Sequence, residues 1–346
     1  MNNDFNQESG GNRNSGEPEL VVGLDAGGTR TRAVLASAAD GRVLGEGAAG
    51  PGNALTVPLP RLTDHLAEAL AQAVPEPTRG RVVAVAGGFA GATGASEDDP
   101  GRLNALTALT AALCRVGIAT GSIGISSDIE AAFASAPGAP ADGLALVAGT
   151  GAVAMRITGR RCTATVDGDG WLLGDDGSGF WIGREAVRAA LRMADGRGGA
   201  TVLAGMVGRA LGLPGEVLPG AGSGGSSWPR AAREAYRMHL LPGVMAEPPT
   251  RLARFAPLVA EAARDGDPVA GVILDQAADQ LAATVAALDA HPGERVVATG
   301  GLLGPGGPLT AALTARLRTL GLTLDWVVDG CRGAVALARL ESGHHL

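Results

Sequence analysis

Residues 19–37 read ELVVGLDAGGTRTRAVLAS, and this stretch decides the expected fold. A β-branched run over 19–25 is followed at once by glycines, and a second apolar run follows over 31–36. Two short apolar runs joined by a Gly-rich turn are typical of a β-hairpin, and a third strand is expected over 42–47. The glycines at 27–28 are therefore expected in a hairpin turn, not between a strand and a helix.

Outward from this hairpin the chain alternates strands and helices, and then the pattern starts again. Apolar spacing of three and four predicts helices, and short apolar runs predict buried strands. In the first half we expect helices over 59–74 and 103–116 and strands over 81–87 and 122–127. In the second half we expect a helix over 129–136, strands over 143–147, 153–158, 162–166, 295–299 and 323–328, and mainly helices between 178 and 290. Both halves share one β-β-β-α-β-α-β plan, which indicates a duplicated architecture.

The expected domains follow from this duplication. The polar residues 1–18 predict a disordered tail, 19–128 a first lobe, and 129–329 a larger second lobe with a helical insertion. The helix expected over 330–346 would complete the first lobe. The Gly/Ser-rich stretch 219–228 could be a mobile lid element or a plain linker.

The amino-acid composition excludes several classes of active site and of binding partner. All 28 basic residues among the 346 are arginine, so P-loop sites, protein-kinase lysines and Schiff-base mechanisms are excluded. The net charge of −7 argues against a nucleic-acid surface. The three cysteines are isolated in sequence, which suits a reducing cytoplasm. No apolar run of about 20 residues is present, so a membrane span is not expected.

Two Gly-Thr turns open the two halves and predict a phosphate site. In the first, glycines Gly27 and Gly28 would let backbone N–H groups approach an anion, and Thr29 and Arg30 would add a hydroxyl and a cation. Asp25, just before this turn, could hold Mg²⁺, although a plain Gly-rich turn beside an acid is the alternative.

The second half repeats the device. Gly149, Thr150 and Gly151 follow a buried strand, so a nucleotide held between two lobes would meet one turn from each side. Gly300 and Gly301 lie at a strand-to-helix junction, where glycines let a ring or sugar lie against the backbone, although simple turn chemistry is equally possible.

Asp128 is the candidate catalytic residue. It follows the last strand of the first half, and an acid at the carboxyl end of a buried strand faces the crevice where α/β proteins bind ligands. It could accept the proton of a hydroxyl that attacks the γ-phosphorus of ATP. Alternatively, it caps the following helix.

Taken together, these segments resemble the N-acetylglucosamine kinase branch of the BadF/BadG/BcrA/BcrD ATPase family, within the sugar kinase/Hsp70/actin superfamily. The segments that carry the resemblance are GLDAGGTRT at 23–31, GPGN at 50–53, SSD at 126–128, VAGTGA at 147–152, LLGDDGSGFWIGREA at 172–186, TGGLL at 299–303 and DGCRGAVALA at 329–338. The resemblance implies an α/β, two-lobed actin-like (ribonuclease H-like) fold with a central ATP/sugar cleft. It further implies Mg²⁺-ATP-dependent phosphorylation of an amino sugar, and a homodimer.

The resemblance also implies sugar-binding residues. They fall on Asn53, Gly149, Asp128, Trp171 and Asp175. For Asn53, forming the Pro-Gly-Asn turn is the alternative role, and for Asp175 or its neighbour Asp176 it is complementing a helix N-terminus. Trp181 is expected in the core.

One difference from the family's usual sequence affects which sugar is expected as the substrate. Many relatives carry Gly-Gly-Trp-Gly before the LLGD segment, whereas residues 167–170 here read Asp-Gly-Asp-Gly, with Trp171 following. N-acetylglucosamine, glucosamine and N-acetylmuramic acid are therefore all open as substrates, with a 6-phosphate as the expected product. An actin-like ATPase of the dehydratase-activator type, without a sugar acceptor, is the alternative class.

Overall fold

The structure, a computed structural model, describes residues 17–93, 98–220 and 228–344. The strands are β1 (Leu20–Ala26), β2 (Thr31–Ser37), β3 (Val43–Ala49), β4 (Val82–Phe89), β5 (Ser122–Ser127), β6 (Gly143–Ala148), β7 (Ala152–Thr158), β8 (Arg161–Asp167), β9 (Arg295–Thr299) and β10 (Thr323–Trp326). The helices are α1 (Leu59–Ala73), α2 (Pro100–Val116), α3 (Asp128–Ala134), α4 (Gly170–Leu173), α5 (Gly179–Asp195), α6 (Leu203–Ala210), α7 (Arg230–Met245), α8 (Ala256–Arg264), α9 (Pro268–Ala286), α10 (Thr310–Thr319) and α11 (Cys331–Glu341).

The strands form two mixed sheets with the same connectivity. The first has the order β3-β2-β1-β4-β5 and the second the order β10-β9-β6-β7-β8. In each, the opening strand pairs antiparallel with the next strand and parallel with the first strand after the helical crossover. The duplicated plan expected from the sequence is therefore present in the fold. The second half differs by the inserted helices α4 to α9, which lie between β8 and β9.

The first sheet is covered on one side by α1 and α2 and on the other by α3 and α11. Helix α1 buries Leu62, Leu66 and Leu70, the residues whose spacing of four predicts an apolar face. Helix α11 packs so closely on β1 that a Cβ at Gly23 would lie 2.5 Å from the backbone nitrogen of Val335. Strand β1, which ends at the first Gly turn, is thereby fixed from both sides.

The core of the second half joins its sheet to the inserted helices. Trp181 of α5 is only 8% exposed and belongs to this cluster, as expected. Tyr236 of α7 is fully buried, and its hydroxyl donates to the carbonyl of Ala204 at 2.8 Å. Through Trp181 this core holds α5, the helix that follows the 174–178 loop.

Three boundaries bear on the predictions. Helix α2 begins at Pro100, earlier than the expected residue 103, because the side chain of Asp99 caps it by accepting from Arg102 N at 2.8 Å. The predicted tail lies almost wholly outside the described residues, as does most of the 219–228 stretch. The lobe boundaries remain predictions. Among the described helices, none has the length and apolar character needed to cross a membrane.

Candidate active site

The first Gly turn is closed by its own backbone. Gly27 N–H donates to the carbonyl of Arg30 at 2.9 Å, and Gly52 N–H donates to the carbonyl of Gly27 at 2.8 Å. The second bond holds the 50–53 loop against the turn. Gly28 and Thr29 are exposed, and a Cβ at Gly28 would meet no atom within 4 Å. The turn thus leaves space in which an anion could approach the backbone.

Asp25, at the end of β1, lies in a group of three potential ligands. Its carboxylate oxygen, a carboxylate oxygen of Asp329 and the sulfur of Cys331 lie within 4.8 Å of one another. Asp25 Oδ2 accepts a hydrogen bond from Gly330 N at 3.3 Å. Burial raises the pKa of the Asp25 carboxyl, and the nearby charge of Asp329 adds to the rise. An uncompensated carboxyl here would be stabilised by a cation.

Asp128 is the first residue of α3, and the alternative prediction that it caps this helix is wrong. The cap is Ser127, whose Oγ accepts from Glu130 N at 3.1 Å. Glu130 Oε2 accepts in return from Ser127 N at 2.9 Å. In this reciprocal capping box Ser127 and Glu130 cap the helix, whereas the Asp128 carboxylate interacts with the backbone N–H groups of Ile129 and of Asp128 itself.

Asp128 and Asp25 are close enough to influence each other. Asp25 pairs with Gly88 of β4, and Gly88 pairs with Ser126 of β5, so only one strand separates the two acids. At the usual strand spacing the two flanking positions are roughly 10 Å apart. Burial raises the pKa of Asp128 to about 6, and the charge of Asp25 contributes. Asp128 therefore holds a proton far more readily than a surface aspartate does, as a general base working near neutral pH requires.

The side-chain oxygen of Asn53 stabilises the turn that begins at this residue. Its Oδ1 accepts from Leu55 N at 2.9 Å and from Thr56 N at 3.0 Å, so the turn-forming role is real. Its Nδ2 forms no hydrogen bond with the described residues. This nitrogen is therefore left to donate to a ligand oxygen.

The second Gly turn is braced by the start of α5. Gly149 N–H donates to the carbonyl of Gly151 at 2.9 Å, which closes the turn. Gly179 N–H and Phe180 N–H, in the first turn of α5, donate to the carbonyls of Gly149 and Thr150 at 2.8 and 3.0 Å. A Cβ at Gly149 would meet no atom within 4 Å, so here too the backbone borders open space.

Asp175 is attached to the second turn rather than to helix α5. Its Oδ1 accepts from Ala152 N at 3.0 Å, whereas the cap of α5 is Ser178. Burial raises the pKa of the Asp175 carboxyl, and the charges of Asp167, Asp169 and Asp176 raise it further. The structure thus places Asp175 next to Gly151, where it can reach a ligand held by the turn.

Asp167 is a site residue that sequence reasoning missed. At the end of β8, it accepts from Asp175 N at 2.6 Å through Oδ1 and from Asp176 N at 2.9 Å through Oδ2. It therefore fixes the loop that carries Asp175. The Asp-Gly pair at 167–168 signals a turn, but the contact eight residues away has no sequence signature.

Glu130 is a second missed residue, and it connects the two halves. Its side chain is fully buried, and its Oε1 accepts from Cys162 N of β8 at 2.8 Å. Since Glu130 also caps α3, one carboxylate links the helix that begins with Asp128 to the strand that ends with Asp167. The two partners are 32 positions apart in sequence, so no local pattern predicts this contact.

A cavity of about 510 Å³ joins the second turn to the other predicted Gly pair. Its lining includes Gly149, Thr150, Gly301, Leu302, Ala256 and Arg264. Gly300 has a φ of +109°, and a Cβ there would lie 2.2 Å from the carbonyl oxygen of Ala148. Only glycine permits this approach, which brings Gly301 to the cavity. The size and mixed lining suit a nucleoside.

Trp171 lies in the short helix α4. It is 40% exposed, and its ring meets that of Phe180 edge-on at 6.2 Å. Leu172 and Leu173 beside it are 71% and 81% exposed. Helix α4 therefore presents exposed apolar side chains close to the Asp175 loop. The assignment of Trp171 to the sugar site is a prediction from the resemblance.

The two like sheets, each beginning with a strand that ends at a Gly-Thr turn, define an actin-like α/β fold, and the comparisons agree. The model of the BadF/BadG/BcrA/BcrD ATPase family matches residues 22–316, and the chain belongs to this family. Similar solved structures include candidate N-acetylglucosamine kinases from Porphyromonas gingivalis (TM-score 0.65, 20% identity, 93% of this chain and 99% of that chain) and Chromobacterium violaceum (TM-score 0.63, 23% identity, 93% and 99%). The predicted fold is thus confirmed.

A curated relative is similar over a shorter stretch. The N-acetylmuramic acid/N-acetylglucosamine kinase of Clostridium acetobutylicum is 35% identical over 85 residues. This match covers 25% of the present chain and 28% of that relative.

The residues around Asp25 fit a hard divalent cation. Mg²⁺ prefers carboxylate oxygens, which Asp25 and Asp329 supply. Asp329 is already engaged by Arg32, whose Nη1 lies 2.6 Å from its Oδ2. Burial raises the pKa of the Cys331 thiol, so the sulfur stays protonated and is a poor ligand for this ion. Asp25 is therefore the residue best suited to hold Mg²⁺ in a nucleotide complex.

Proposed function

We propose that the protein is an ATP-dependent kinase that phosphorylates the 6-hydroxyl of an amino sugar, with N-acetylglucosamine as the first candidate. The observation that carries the proposal is the position of Asp128, which follows β5 at the start of α3, lies across one strand from Asp25 and is not the N-cap of the helix; burial also raises its pKa. Membership of the ATPase family supports the nucleotide, and the kinases among the similar proteins support the sugar.

In the proposed reaction each turn holds one end of ATP. The 149–151 turn and the cavity around Gly301 and Arg264 hold the nucleoside end, and the 27–30 turn receives the phosphates. Mg²⁺ at Asp25 would neutralise phosphate charge. Asp128 orients the sugar hydroxyl and accepts its proton as the oxygen bonds to the γ-phosphorus and the bond to ADP breaks. Asn53 Nδ2 and Asp175 would hold neighbouring sugar hydroxyls.

The negative charge around Asp175 favours some of the candidate sugars over others. Asp167, Asp169 and Asp176 all contribute negative potential at Asp175. The carboxylate of N-acetylmuramic acid would be repelled there, whereas the ammonium of glucosamine would be attracted and the neutral acetamide tolerated. We therefore place N-acetylglucosamine and glucosamine ahead of N-acetylmuramic acid.

A coupled ADP-release assay over these three amino sugars and glucose tests the proposal, with ³¹P NMR to identify the phosphorylated product. We expect ADP release that requires an amino sugar, and a kcat/KM for N-acetylmuramic acid at least tenfold below the best substrate. ADP release that no sugar stimulates would instead support an ATPase without acceptor.

The cysteines weigh against the dehydratase-activator alternative. Such activators hold an iron–sulfur cluster through closely placed cysteines. Here Cys114 is exposed on α2, Cys162 lies on β8 and Cys331 is buried at the start of α11. The positions of the three cysteines therefore favour the kinase over the dehydratase activator. A homodimer and a cytoplasmic location remain predictions from the sequence.

A further inference from the structure

A second large cavity adjoins the 27–30 turn and shares no lining residue with the cavity at the 149–151 turn. It has a volume of about 930 Å³ and is bordered by β2, β3 and the outer surface of α11. Five arginines line it, namely Arg30, Arg32, Arg42, Arg332 and Arg339, together with three acids, Asp40, Glu46 and Asp329. This excess of positive charge is local, because the whole chain carries a net charge of −7.

Two of the arginines have structural roles. Arg32 pairs with Asp329 at 2.6 Å. Arg339 donates to the backbone carbonyls of Ala38 and Ala39 at 2.8 and 2.7 Å, which ties α11 to the turn after β2. These contacts fix the wall of the cavity.

The other three arginines are exposed. Arg30, Arg42 and Arg332 form no ion pair with the described residues, although many other arginines of this chain do. Arg42 lies near enough to Asp40 to lower the pKa of that carboxyl, but the Asp40 carboxylate mainly accepts from Ser37 and from the backbone of Arg42. The guanidinium groups of Arg42 and Arg332 are therefore available to this cavity, and that of Arg30 is shared with the 27–30 turn.

We propose that this cavity binds a phosphorylated small molecule at a site that adjoins the 27–30 turn but lies mainly between β2, β3 and α11. A guanidinium group offers two parallel N–H donors that match the oxygens of a phosphate, and several of them together match a dianion. The volume is in the range of small-molecule sites. Because the rest of the surface is acidic, a long polyanion would be repelled outside the cavity while a single phosphomonoester would not.

The cavity is connected to the proposed phosphate turn. Arg30 ends that turn and also lines the cavity, and Asp329 lies one residue from Gly330, whose N–H donates to Asp25. An anion bound here would compete with Asp329 for Arg32. The bound molecule is thus placed to affect the acids at the end of β1.

The test measures binding by calorimetry to the full-length protein, with the cleft filled by Mg²⁺ and the non-hydrolysable analogue AMP-PNP. The two probes are inorganic phosphate and N-acetylglucosamine 6-phosphate. The test variant is Arg42→Ala with Arg332→Ala. The matched control is Arg61→Ala with Arg318→Ala, two exposed arginines that do not line the cavity and whose loss changes the net charge equally.

We expect at least one probe to bind, with an affinity at least tenfold weaker in the test variant and within twofold of wild type in the control. Equal affinities for the two probes would show that the phosphate group alone is recognised, and tighter binding of the sugar phosphate that the sugar contributes. Absence of binding by both probes, or equal losses in both variants, would overturn the proposal. Binding of inorganic phosphate does not depend on which sugar the protein phosphorylates, so failure of this proposal can be told apart from failure of the proposed function.

Discussion

The two Gly-Thr turns open identical arrangements of strands but have different surroundings. The first, at 27–30, closely follows Asp25, and Asp128 lies across one strand from Asp25; the pKa values of both carboxyls are raised. The second, at 149–151, is held by the backbone of α5 and by Asp175, whose pKa is also raised, and it faces a mainly apolar cavity wall in which Arg264 is the charged residue. Under the proposed function, the duplicated fold divides the work: the first half supplies the acids that act on the reacting atoms, and the second half supplies the surface that binds the nucleoside end of ATP.

This division predicts which kinetic parameter each substitution changes. Substitutions in the first half should lower kcat, since they remove charge that acts on the reacting atoms. Substitutions in the second half should raise KM for ATP and leave kcat largely intact.

The largest effect is expected for Asp128→Asn. The amide has the shape of the carboxylate but accepts no proton, so kcat should fall by about 10³-fold or more. The dissociation constants of ATP and sugar, measured by calorimetry, should stay within a few-fold of wild type. Turnover within tenfold of wild type would remove Asp128 from its role as base.

At high pH, the folded state of Asp128→Asn should be more stable than that of wild type. The raised pKa of Asp128 means that the folded state favours the protonated form, so ionisation destabilises it as pH rises through about 6. Asp128→Asn removes this penalty. Its free energy of unfolding in urea should exceed that of wild type at pH 8, and the difference should shrink at pH 5.

Asp25→Asn should have the next largest effect. Loss of the carboxylate that is best suited to Mg²⁺ should lower kcat by about 10²-fold and raise the Mg²⁺ concentration needed for half-maximal rate. Sugar affinity, measured without nucleotide, serves as the internal control and should not change. An unaltered Mg²⁺ requirement would place the ion elsewhere.

Gly149→Ala probes the second turn. The added methyl group meets no protein atom within 4 Å, so it should leave folding intact but intrude on bound nucleotide. KM for ATP should rise about tenfold, equivalent to about 1.4 kcal/mol. Gly271→Ala is the matched control, because its Cβ also meets nothing within 4 Å and it lies in α9, away from the site. Equal KM values in the two variants would contradict the nucleotide position.

The smallest change in any kinetic parameter is expected for Glu130→Gln, which disturbs a positioning residue. The buried carboxylate accepts from Ser127 N and Cys162 N, and an amide can accept through only one of its ends. We expect a loss of about 1–3 kcal/mol in stability and a few-fold loss in kcat, with little change in either KM. The exposed Glu46→Gln is the control for removal of a charge. A change in KM alone would show that Glu130 does not act through Asp128.

The local features were predictable because each has a local physical cause. The β-branched run before Gly27 and the apolar spacing of Leu62, Leu66 and Leu70 are visible in the sequence, and the structure bears them out. The position of Asp128 after a buried strand was equally visible.

The long-range connections were not predictable. The pairs Glu130–Cys162 and Arg32–Asp329 are 32 and 297 residues apart in sequence, and no periodicity or turn chemistry relates them. Likewise, the choice between Ser127 and Asp128 as helix cap depended on backbone geometry, since both residue types cap well. The sequence therefore indicated which residues carry chemistry but not what holds them in place.

The most direct test of this division is the pH dependence of kcat/KM for the sugar at saturating Mg²⁺-ATP in wild type, Gly149→Ala and Asp128→Asn. Since Asp128 must be ionised to act as base, we predict that the value falls as pH drops through about 6 in wild type and Gly149→Ala alike. The residual rate of Asp128→Asn should lack this limb. A limb that persists in Asp128→Asn would assign the titration to another group and contradict the account.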